Sequence, residues 1–220
     1  MFSNYCVIFD MDGVLADTGP IHYESWVKMA TEIGMEFTRD IFEETFGQQS
    51  PTITRKLVGS EADEILVEKW ASLKEEYYRE MVRKKLVPLP GVISILKALK
   101  SEGFKLAVGS SGPPENVELL LSQLKIKSFF DIIITAVDVK KGKPDPEVFL
   151  NAANNLNINP QNCIVIEDAP VGIEAAKRAG MISIALTTTH NKAELNDANL
   201  VIKDLTEISI KDIKNLFELN

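Results

Sequence analysis

The feature that most constrains the fold is an alternation of short apolar segments with amphipathic helical segments, which runs through residues 88–220. The apolar segments have the length and the β-branched content of buried strands. They are residues 104–108, 132–135, 163–166, 182–186 and 199–202. Strands that are joined through helices pair in parallel, with helices on both faces of the sheet. The sequence therefore predicts an α/β fold with a doubly wound, mainly parallel sheet.

A helical stretch interrupts this pattern near the start of the chain. The apolar run 5–9, which ends at Asp10, is typical of a central strand of the same sheet. Between this run and Pro88 the punctuation by proline, glycine and N-cap residues indicates only helices. The predicted helices span residues 20–34, 38–47 and 50–59, and a fourth runs from Ser60 to about Lys84. We therefore predict a core domain of residues 1–16 and 88–220 with an inserted all-helical domain of residues 17–87.

The charge balance excludes several classes of partner. The chain carries 24 basic and 32 acidic residues, a net charge of −8, so no broad cationic surface is expected for nucleic acid or anionic membranes. The only cysteines, Cys6 and Cys163, lie in apolar runs and suggest buried thiols in a reducing compartment. No secretory leader pattern and no apolar stretch of about 18 residues is present. We expect a cytoplasmic protein without a membrane partner, and a monomer.

Polar side chains follow four of the predicted strands at the point where each strand ends. They are Asp10 and Asp12, Ser110 and Ser111, Lys143, and Glu167 and Asp168. Because the carboxyl ends of parallel strands meet at one edge of the sheet, we expect these groups to lie close together. Four crowded carboxylates would repel one another unless a cation lay between them. An all-oxygen site of this kind favours Mg²⁺, with Glu167 and Asp168 among its ligands.

Phosphoryl transfer through an aspartate is the chemistry that this set of groups fits. It needs a carboxylate nucleophile, an acid–base group, a metal and fixed donors for the phosphoryl oxygens. Asp10 is the expected nucleophile because it ends a strand, and Asp12 is the expected acid and base. Ser110 would bind phosphoryl oxygens, and Lys143 would neutralise charge between the phosphate and Asp10.

Each of these signals also has an ordinary structural interpretation. Asp12-Gly13 alone is a common turn, and Lys143 alone is a loop lysine. The Asp-x-Asp-Gly pattern also occurs in EF-hands, but Ile21 stands where the bidentate glutamate of that loop is required. The occurrence of all the signals together, at successive strand ends, favours a catalytic site.

The same residues carry a resemblance to a known family. Residues 10–15 (DMDGVL), Ser110 after an apolar strand, residues 142–146 (GKPDP) and residues 166–168 (IED) resemble the four motifs of the haloacid dehalogenase superfamily. The match covers nearly the whole chain, and DxDG is typical of its phosphotransferases. The chain is most similar to the β-phosphoglucomutase-like and sugar-phosphate phosphatase group. The resemblance implies a Rossmann-like core, a helical cap, and Mg²⁺ bound also by Asp10 and by the backbone carbonyl of Asp12.

Further residues are expected to bind the substrate. In the core the candidates for phosphate binding are Met11, Ser110, Ser111 and Lys143. In the inserted domain His22 and Trp26 lie four residues apart on one helix face, either toward the cleft or packed in a core. Lys74 is either a solvated charge or a ligand of the substrate, as a lysine is in similar caps. We assign no role to His190.

These observations predict a Mg²⁺-dependent phosphatase for a small phosphorylated metabolite, with a sugar phosphate as the first choice. The alternative is a phosphomutase that uses the same aspartyl-phosphate. The β-phosphoglucomutases that the chain resembles place an arginine three residues after a cap glycine, whereas Ser50 follows Gly47 here. Arg55 or Lys56 could replace that arginine, which leaves the alternative open.

Two other classes fit the sequence less well. Receiver-type signalling modules combine similar groups, but they carry no helical insertion, and their acceptor aspartate lies in the middle of the chain. A noncatalytic binding protein is disfavoured because every expected catalytic position is filled.

Overall fold

The core of the protein is a sheet of six parallel strands in the order β3-β2-β1-β4-β5-β6. The structure is a computed structural model that describes residues 2–83 and 86–218. The strands are β1 Cys6–Phe9, β2 Lys105–Gly109, β3 Ile132–Ile134, β4 Cys163–Glu167, β5 Ile182–Leu186 and β6 Leu200–Ile202. The predicted α/β fold with a doubly wound parallel sheet is confirmed.

Helices connect the strands and fill the predicted insertion. They are α1 Gly19–Glu32, α2 Arg39–Thr45, α3 Ser50–Val58, α4 Glu64–Val82, α5 Val92–Glu102, α6 Pro114–Gln123, α7 Glu147–Asn155, α8 Pro170–Arg178 and α9 Ile210–Glu218. We call α1–α4, which follow β1, the cap; the domain boundaries at residues 16/17 and 87/88 stay a prediction. The predicted start of α4 at Ser60 is wrong, because the carboxylate of Asp63 caps the helix by accepting from the Ile65 N–H at 2.7 Å. Its predicted end at Lys84 lies outside the described residues.

The central strand β1 separates two apolar layers. Successive side chains of a strand point to opposite faces, and Val7 and Phe9 accordingly pack in one layer while Cys6 and Ile8 pack in the other. The strand order turns back at β1, which pairs with β2 on one side and β4 on the other. A switch in strand order of this kind opens a crevice at the carboxyl ends of the strands. Asp10 follows β1 at that crevice.

The cap has an apolar core of its own. Trp26 stacks on Phe37 with ring centroids 5.2 Å apart, and Phe42 and Phe46 belong to the same cluster. Both α1 and α3 pack against α4, and α4 also contacts α6 of the core. Helix α4 therefore carries cap side chains to the edge of the sheet. In the part of the chain that the structure describes, no helix has both the length and the apolar character that a membrane span requires.

Candidate active site

An ammonium group joins two carboxylates at the edge of the sheet. The Nζ of Lys143 lies 2.5 Å from Oδ1 of Asp10 and 2.7 Å from Oε1 of Glu167, and it donates to the Gly109 carbonyl at 3.1 Å. All three charged side chains are buried. Asp10 follows β1, Glu167 is the last residue of β4, and Lys143 lies in the loop after β3, so three strand ends meet here as the sequence pattern predicted.

Two glycines allow the carboxylates to approach the backbone closely. Oε2 of Glu167 accepts from the backbone N–H groups of Asp168 and Ala169 at 2.8 and 3.0 Å. A side chain at Gly172 would overlap the Glu167 carboxylate, and one at Gly13, whose φ is +73°, would overlap that of Asp168. The acidic cluster therefore requires glycine at both positions. Gly13 also forms the turn after Asp12, where its positive φ favours glycine.

The negative charge of the acidic cluster exceeds the positive charge of the groups that surround it. One oxygen each from Asp10, Glu167 and Asp168 lies within 4.8 Å of the others, and Lys143 is the ammonium group bonded to two of them. Burial, with Glu167 and Asp12 close by, raises the pKa of Asp10 to about 7 despite the opposing effect of Lys143. Burial and the charges of Glu167 and Asp10 also raise the pKa of Asp168 well above its ordinary value. A divalent cation would offset this excess, and the donor set of hard oxygens fits Mg²⁺.

We expect Mg²⁺ to stabilise the protein more at pH 8 than at pH 5. A carboxyl whose pKa is raised by folding makes a stabilising contribution at low pH that is lost as the pH rises from about 4 to about 7. Bound Mg²⁺ offsets that loss, so the Mg²⁺-dependent rise in Tm after EDTA treatment is expected to be larger at pH 8 by at least about 3 °C. Calorimetry with and without Mg²⁺ at both pH values measures this difference in Tm.

The Asp168→Asn variant is the matched test of this cluster. It is expected to raise the Tm of the metal-free protein at pH 8, because one of three crowded charges is removed, and to reduce the effect of Mg²⁺. An equal effect of Mg²⁺ on the Tm of the unsubstituted protein at both pH values would contradict the binding of Mg²⁺ by this cluster.

The side chain of Asp12 turns away from this cluster toward the cap. Its Oδ1 accepts from Thr18 Oγ1 at 2.5 Å and from the Tyr78 hydroxyl at 3.3 Å, and it lies 3.1 Å from Nε2 of His22. Burial raises the pKa of this carboxyl, but the neighbouring His22 and the hydrogen bond from Thr18 bring the pKa below its ordinary value. Asp10 and Asp12, two residues apart, thus occupy opposite electrostatic environments.

His22 links Asp12 to a buried lysine of the cap. Nζ of Lys74 lies 2.7 Å from Nδ1 of His22 and 5.1 Å from the centre of the Trp26 ring. An ammonium group can only donate, so Nδ1 accepts and Nε2 carries the ring proton that faces Asp12. Lys74 is fully buried, which excludes the solvated alternative.

A cavity between the cap and the core brings the two groups of side chains together. We call it the cap–core cavity. Its lining consists of Asp10, Asp12, His22, Trp26, Phe42, Phe46, Gly47, Gln48, Ser50, Ile53, Lys74, Glu75, Ser111 and Gly112. The volume of this cavity is about 40 Å³. A phosphate ester the size of a sugar phosphate would need more room than this, so its entry would require the cap to move away from the core.

The structure brings together most of the residues singled out in the sequence. Ser110 is buried beside the cavity, where its Oγ accepts from the Gly112 N–H at 3.0 Å, and Ser111 lines the cavity wall. The side chain of Met11 packs in the hydrophobic core, so only its backbone is available to a phosphate. His190, which had no assigned role, lies with Nδ1 3.0 Å from the Asp168 carbonyl and Nε2 3.3 Å from the Glu43 carbonyl of the cap.

The sequence analysis missed three side chains that surround this site. Tyr78 follows Lys74 by one helical turn, a spacing that could have placed both on one face. Thr18 and Glu75 gave no such signal, since Thr18 stands in the loop before α1 and Glu75 lies in a run of charged residues. Glu75 is only 7% exposed, and it forms part of the cavity wall.

Comparison with known proteins gives a consistent family relationship. Residues 7–186 match the sequence profile described as haloacid dehalogenase-like hydrolase. The chain is 34% identical over 201 residues to the validoxylamine A 7′-phosphate phosphatase of Streptomyces hygroscopicus subsp. limoneus, which covers 91% of this chain and 94% of that protein. It is also 34% identical over 213 residues to the β-phosphoglucomutase of Bacillus subtilis (strain 168), with 93% and 92% covered.

A solved structure agrees with these relatives. The crystal structure of β-phosphoglucomutase from Clostridium difficile superposes with a TM-score of 0.89 at 32% identity, covering 98% of this chain and 97% of that one. The relatives therefore include both a phosphatase and phosphomutases.

Proposed function

Because the chain belongs to the haloacid dehalogenase-like hydrolase family, we propose that it is a Mg²⁺-dependent phosphatase that acts through an aspartyl-phosphate on Asp10. The proposed substrate is a small phosphorylated metabolite, with a sugar phosphate as the first choice. The observation that carries the proposal is the buried cluster of Asp10, Lys143 and Glu167, which opens through Asp10 into the cap–core cavity.

The first half of the reaction transfers the phosphoryl group to Asp10. A carboxylate oxygen of Asp10 forms a bond to phosphorus while the bond from phosphorus to the leaving oxygen breaks. Asp12 gives its proton to that oxygen, and an alcohol leaves. Lys143, within 2.5 Å of Asp10, offsets charge on the transferring group, and Ser110 with nearby backbone N–H groups holds its oxygens.

The second half returns Asp10 to its free form. Asp12, now ionised, takes a proton from a water molecule whose oxygen attacks phosphorus, and the bond from Asp10 to phosphorus breaks with release of inorganic phosphate. The lowered pKa of Asp12 beside His22 keeps this carboxyl ionised, as the second half requires, whereas the first half requires its protonated form.

The metal would be held by the side chains of the acidic cluster. Asp10, Glu167 and Asp168 are the proposed side-chain ligands, together with the backbone carbonyl of Asp12. When bound, Mg²⁺ supplies positive charge to the phosphoryl oxygens and lowers the repulsion between these carboxylates and the substrate. Glu167 is in addition fixed by Lys143 and by two backbone N–H groups, which supports a role in orienting the cluster.

The phosphomutase remains the second candidate, since one relative of the same identity has that activity. A mutase holds a bisphosphate at both ends, which requires a cation for the distal phosphate. Ser50 stands where the expected arginine is missing. Arg55 pairs with Glu64 and Lys56 pairs with Glu44 at 2.5 Å, and neither Arg55 nor Lys56 lines the cap–core cavity. This charge distribution favours the phosphatase.

One experiment separates the two candidates. The enzyme is given β-glucose 1-phosphate and a trace of the bisphosphate, and inorganic phosphate and glucose 6-phosphate are followed separately. We expect phosphate release without isomerisation, together with phosphate release from several members of a panel of sugar phosphates. EDTA is expected to abolish turnover, and Mg²⁺ is expected to restore it. Rapid isomerisation with little phosphate would establish the mutase, and turnover that EDTA leaves unchanged would contradict the metal-dependent mechanism.

A further inference from the structure

Glu75 is a buried carboxylate that lines the cap–core cavity and that the reaction steps above do not use. Its Oε1 accepts from Lys74 Nζ at 2.9 Å and from the Ser50 hydroxyl, and its Oε2 accepts from Asn116 Nδ2 at 2.5 Å. The partners come from α3, α4 and α6, so the carboxylate is held where the cap meets the core. A carboxylate has about four acceptor positions, so Oε2 can take one further hydrogen bond.

This carboxylate offsets the positive charge that the cap brings to the cavity. Among the residues that the structure describes, Lys74 is the only lysine or arginine in the wall of the cap–core cavity. Its ammonium group is paired with Glu75 and bonded to His22, and both Lys74 and Glu75 are buried. No positive charge in this wall is therefore left over for a second anionic group of a substrate.

Glu75 also marks the junction between the cavity and a second depression. We call this depression the outer groove; it shares Ser50, Glu75 and Ser111 with the cap–core cavity, whereas Asp10 and Asp12 line the cavity alone. Its remaining charged side chains are Glu68, Glu76, Glu115 and Arg79. Arg79, which donates to Asn116 Oδ1 at 2.9 Å, keeps its positive charge, but the glutamates of this lining outnumber it, so acidic groups predominate where a substrate would extend away from Asp10.

We propose that Glu75, fixed by Ser50 and Asn116, forms the subsite for the end of the substrate distal to its phosphate, and that it selects a hydrogen-bond donor there, a hydroxyl or an ammonium group. A carboxylate accepts hydrogen bonds and never donates them, so a donor group satisfies it. A second phosphate meets like charge from Glu75 and from three glutamates of the outer groove, Glu68, Glu76 and Glu115, against the single positive charge of Arg79. The inference rests on the proposed phosphatase function and specifies its substrate class as monophosphates with a hydroxyl-bearing or amino-bearing distal end.

The test compares phosphate esters that differ only at the distal end. Fructose 6-phosphate is compared with fructose 1,6-bisphosphate, and p-nitrophenyl phosphate, which lacks a distal donor, serves as the reference. We expect kcat/KM per phosphate to be at least about 10-fold lower for the bisphosphate, mainly through KM. Bisphosphate hydrolysed as well as the monophosphate would overturn the proposal, and this comparison needs no variant.

A pair of variants then assigns the selectivity to Glu75. Glu75→Gln keeps the shape of the side chain and removes its charge, so the ratio of kcat/KM for the monophosphate to kcat/KM for the bisphosphate is expected to fall about 10-fold, and a loss common to all esters, p-nitrophenyl phosphate included, cancels in this ratio. Glu80→Gln, on the exposed part of the same helix where Glu80 pairs with Lys28, is the matched control. Unchanged selectivity in folded Glu75→Gln would contradict the assignment.

A second substrate pair identifies the donor. Faster hydrolysis of glucosamine 6-phosphate than of glucose 6-phosphate would identify an ammonium group, and equal hydrolysis would identify a hydroxyl. Slower hydrolysis of the glucosamine ester would contradict a carboxylate subsite. If no ester is hydrolysed, including p-nitrophenyl phosphate, the proposed phosphatase function itself fails. If p-nitrophenyl phosphate is hydrolysed but the sugar phosphates show no selectivity for their distal ends, the phosphatase function stands and only the distal subsite at Glu75 fails.

Discussion

The Asp10→Asn variant is expected to lose at least about 10⁴-fold in kcat, which is the scale of loss when a covalent nucleophile is removed. A neutral amide cannot attack phosphorus. The substitution also removes the negative charge that lies 2.5 Å from Lys143 Nζ. Phosphate release measured in single-turnover experiments gives the loss in the chemical step.

A direct search for the phosphoenzyme accompanies this measurement. Acid-quenched enzyme is expected to carry phosphate that hydroxylamine releases, as an acyl phosphate does, and the Asp10→Asn variant is expected to carry none. Asp197→Asn, at an exposed site where Asp197 pairs with Lys177, is the control that retains activity. Full activity of Asp10→Asn would show that another group is the nucleophile.

The Asp12→Asn variant is expected to lose about 10²–10⁴-fold in kcat, the usual contribution of a positioned acid and base. Asparagine keeps an oxygen that can accept from Thr18, as the carboxylate does at 2.5 Å, so the fold of this loop is expected to survive. It loses the proton that the leaving oxygen requires. The loss is therefore expected to be smallest for p-nitrophenyl phosphate, whose leaving group needs little protonation.

The control for Asp12 removes a neighbour and leaves the carboxylate. Tyr78→Phe deletes one long hydrogen bond of 3.3 Å to Asp12 and is expected to cost less than about 10-fold. Equal losses of Asp12→Asn on alkyl and p-nitrophenyl esters would show that Asp12 is not the leaving-group acid. A role in activating water for the second half of the reaction would then account for the loss.

The core part of the site could be predicted because it depends on local patterns and one topological rule. The short apolar runs and the turns after them indicate where each strand ends, and parallel strands place those ends at one edge of the sheet. Asp10 and Glu167, far apart in the sequence, are for this reason both found within 2.7 Å of the ammonium group of Lys143. The family resemblance rests on these same residues, and the match of residues 7–186 confirms it.

The cap part of the site was decided by the tertiary structure. Successive residues on a helix point about 100° apart, so whether a charged residue is buried depends on how the helix is rotated against its neighbours. Helix α4 packs on α1, α3 and α6 in a rotation that buries Lys74 and Glu75 while Glu76 stays exposed. No short-range pattern in the run Lys74-Glu75-Glu76 distinguishes these positions.

The position of the arginine that β-phosphoglucomutases carry in the cap shows the same limit of prediction from sequence. The sequence by itself determined that Ser50 occupies its place and that Arg55 and Lys56 are near enough along the chain to replace it. Only the tertiary structure decided that Arg55 and Lys56 pair with Glu64 and Glu44, outside the cap–core cavity. The physical reason is that strand ends are aligned by hydrogen bonding within one sheet, whereas the direction of a cap side chain depends on packing between helices that are distant in sequence.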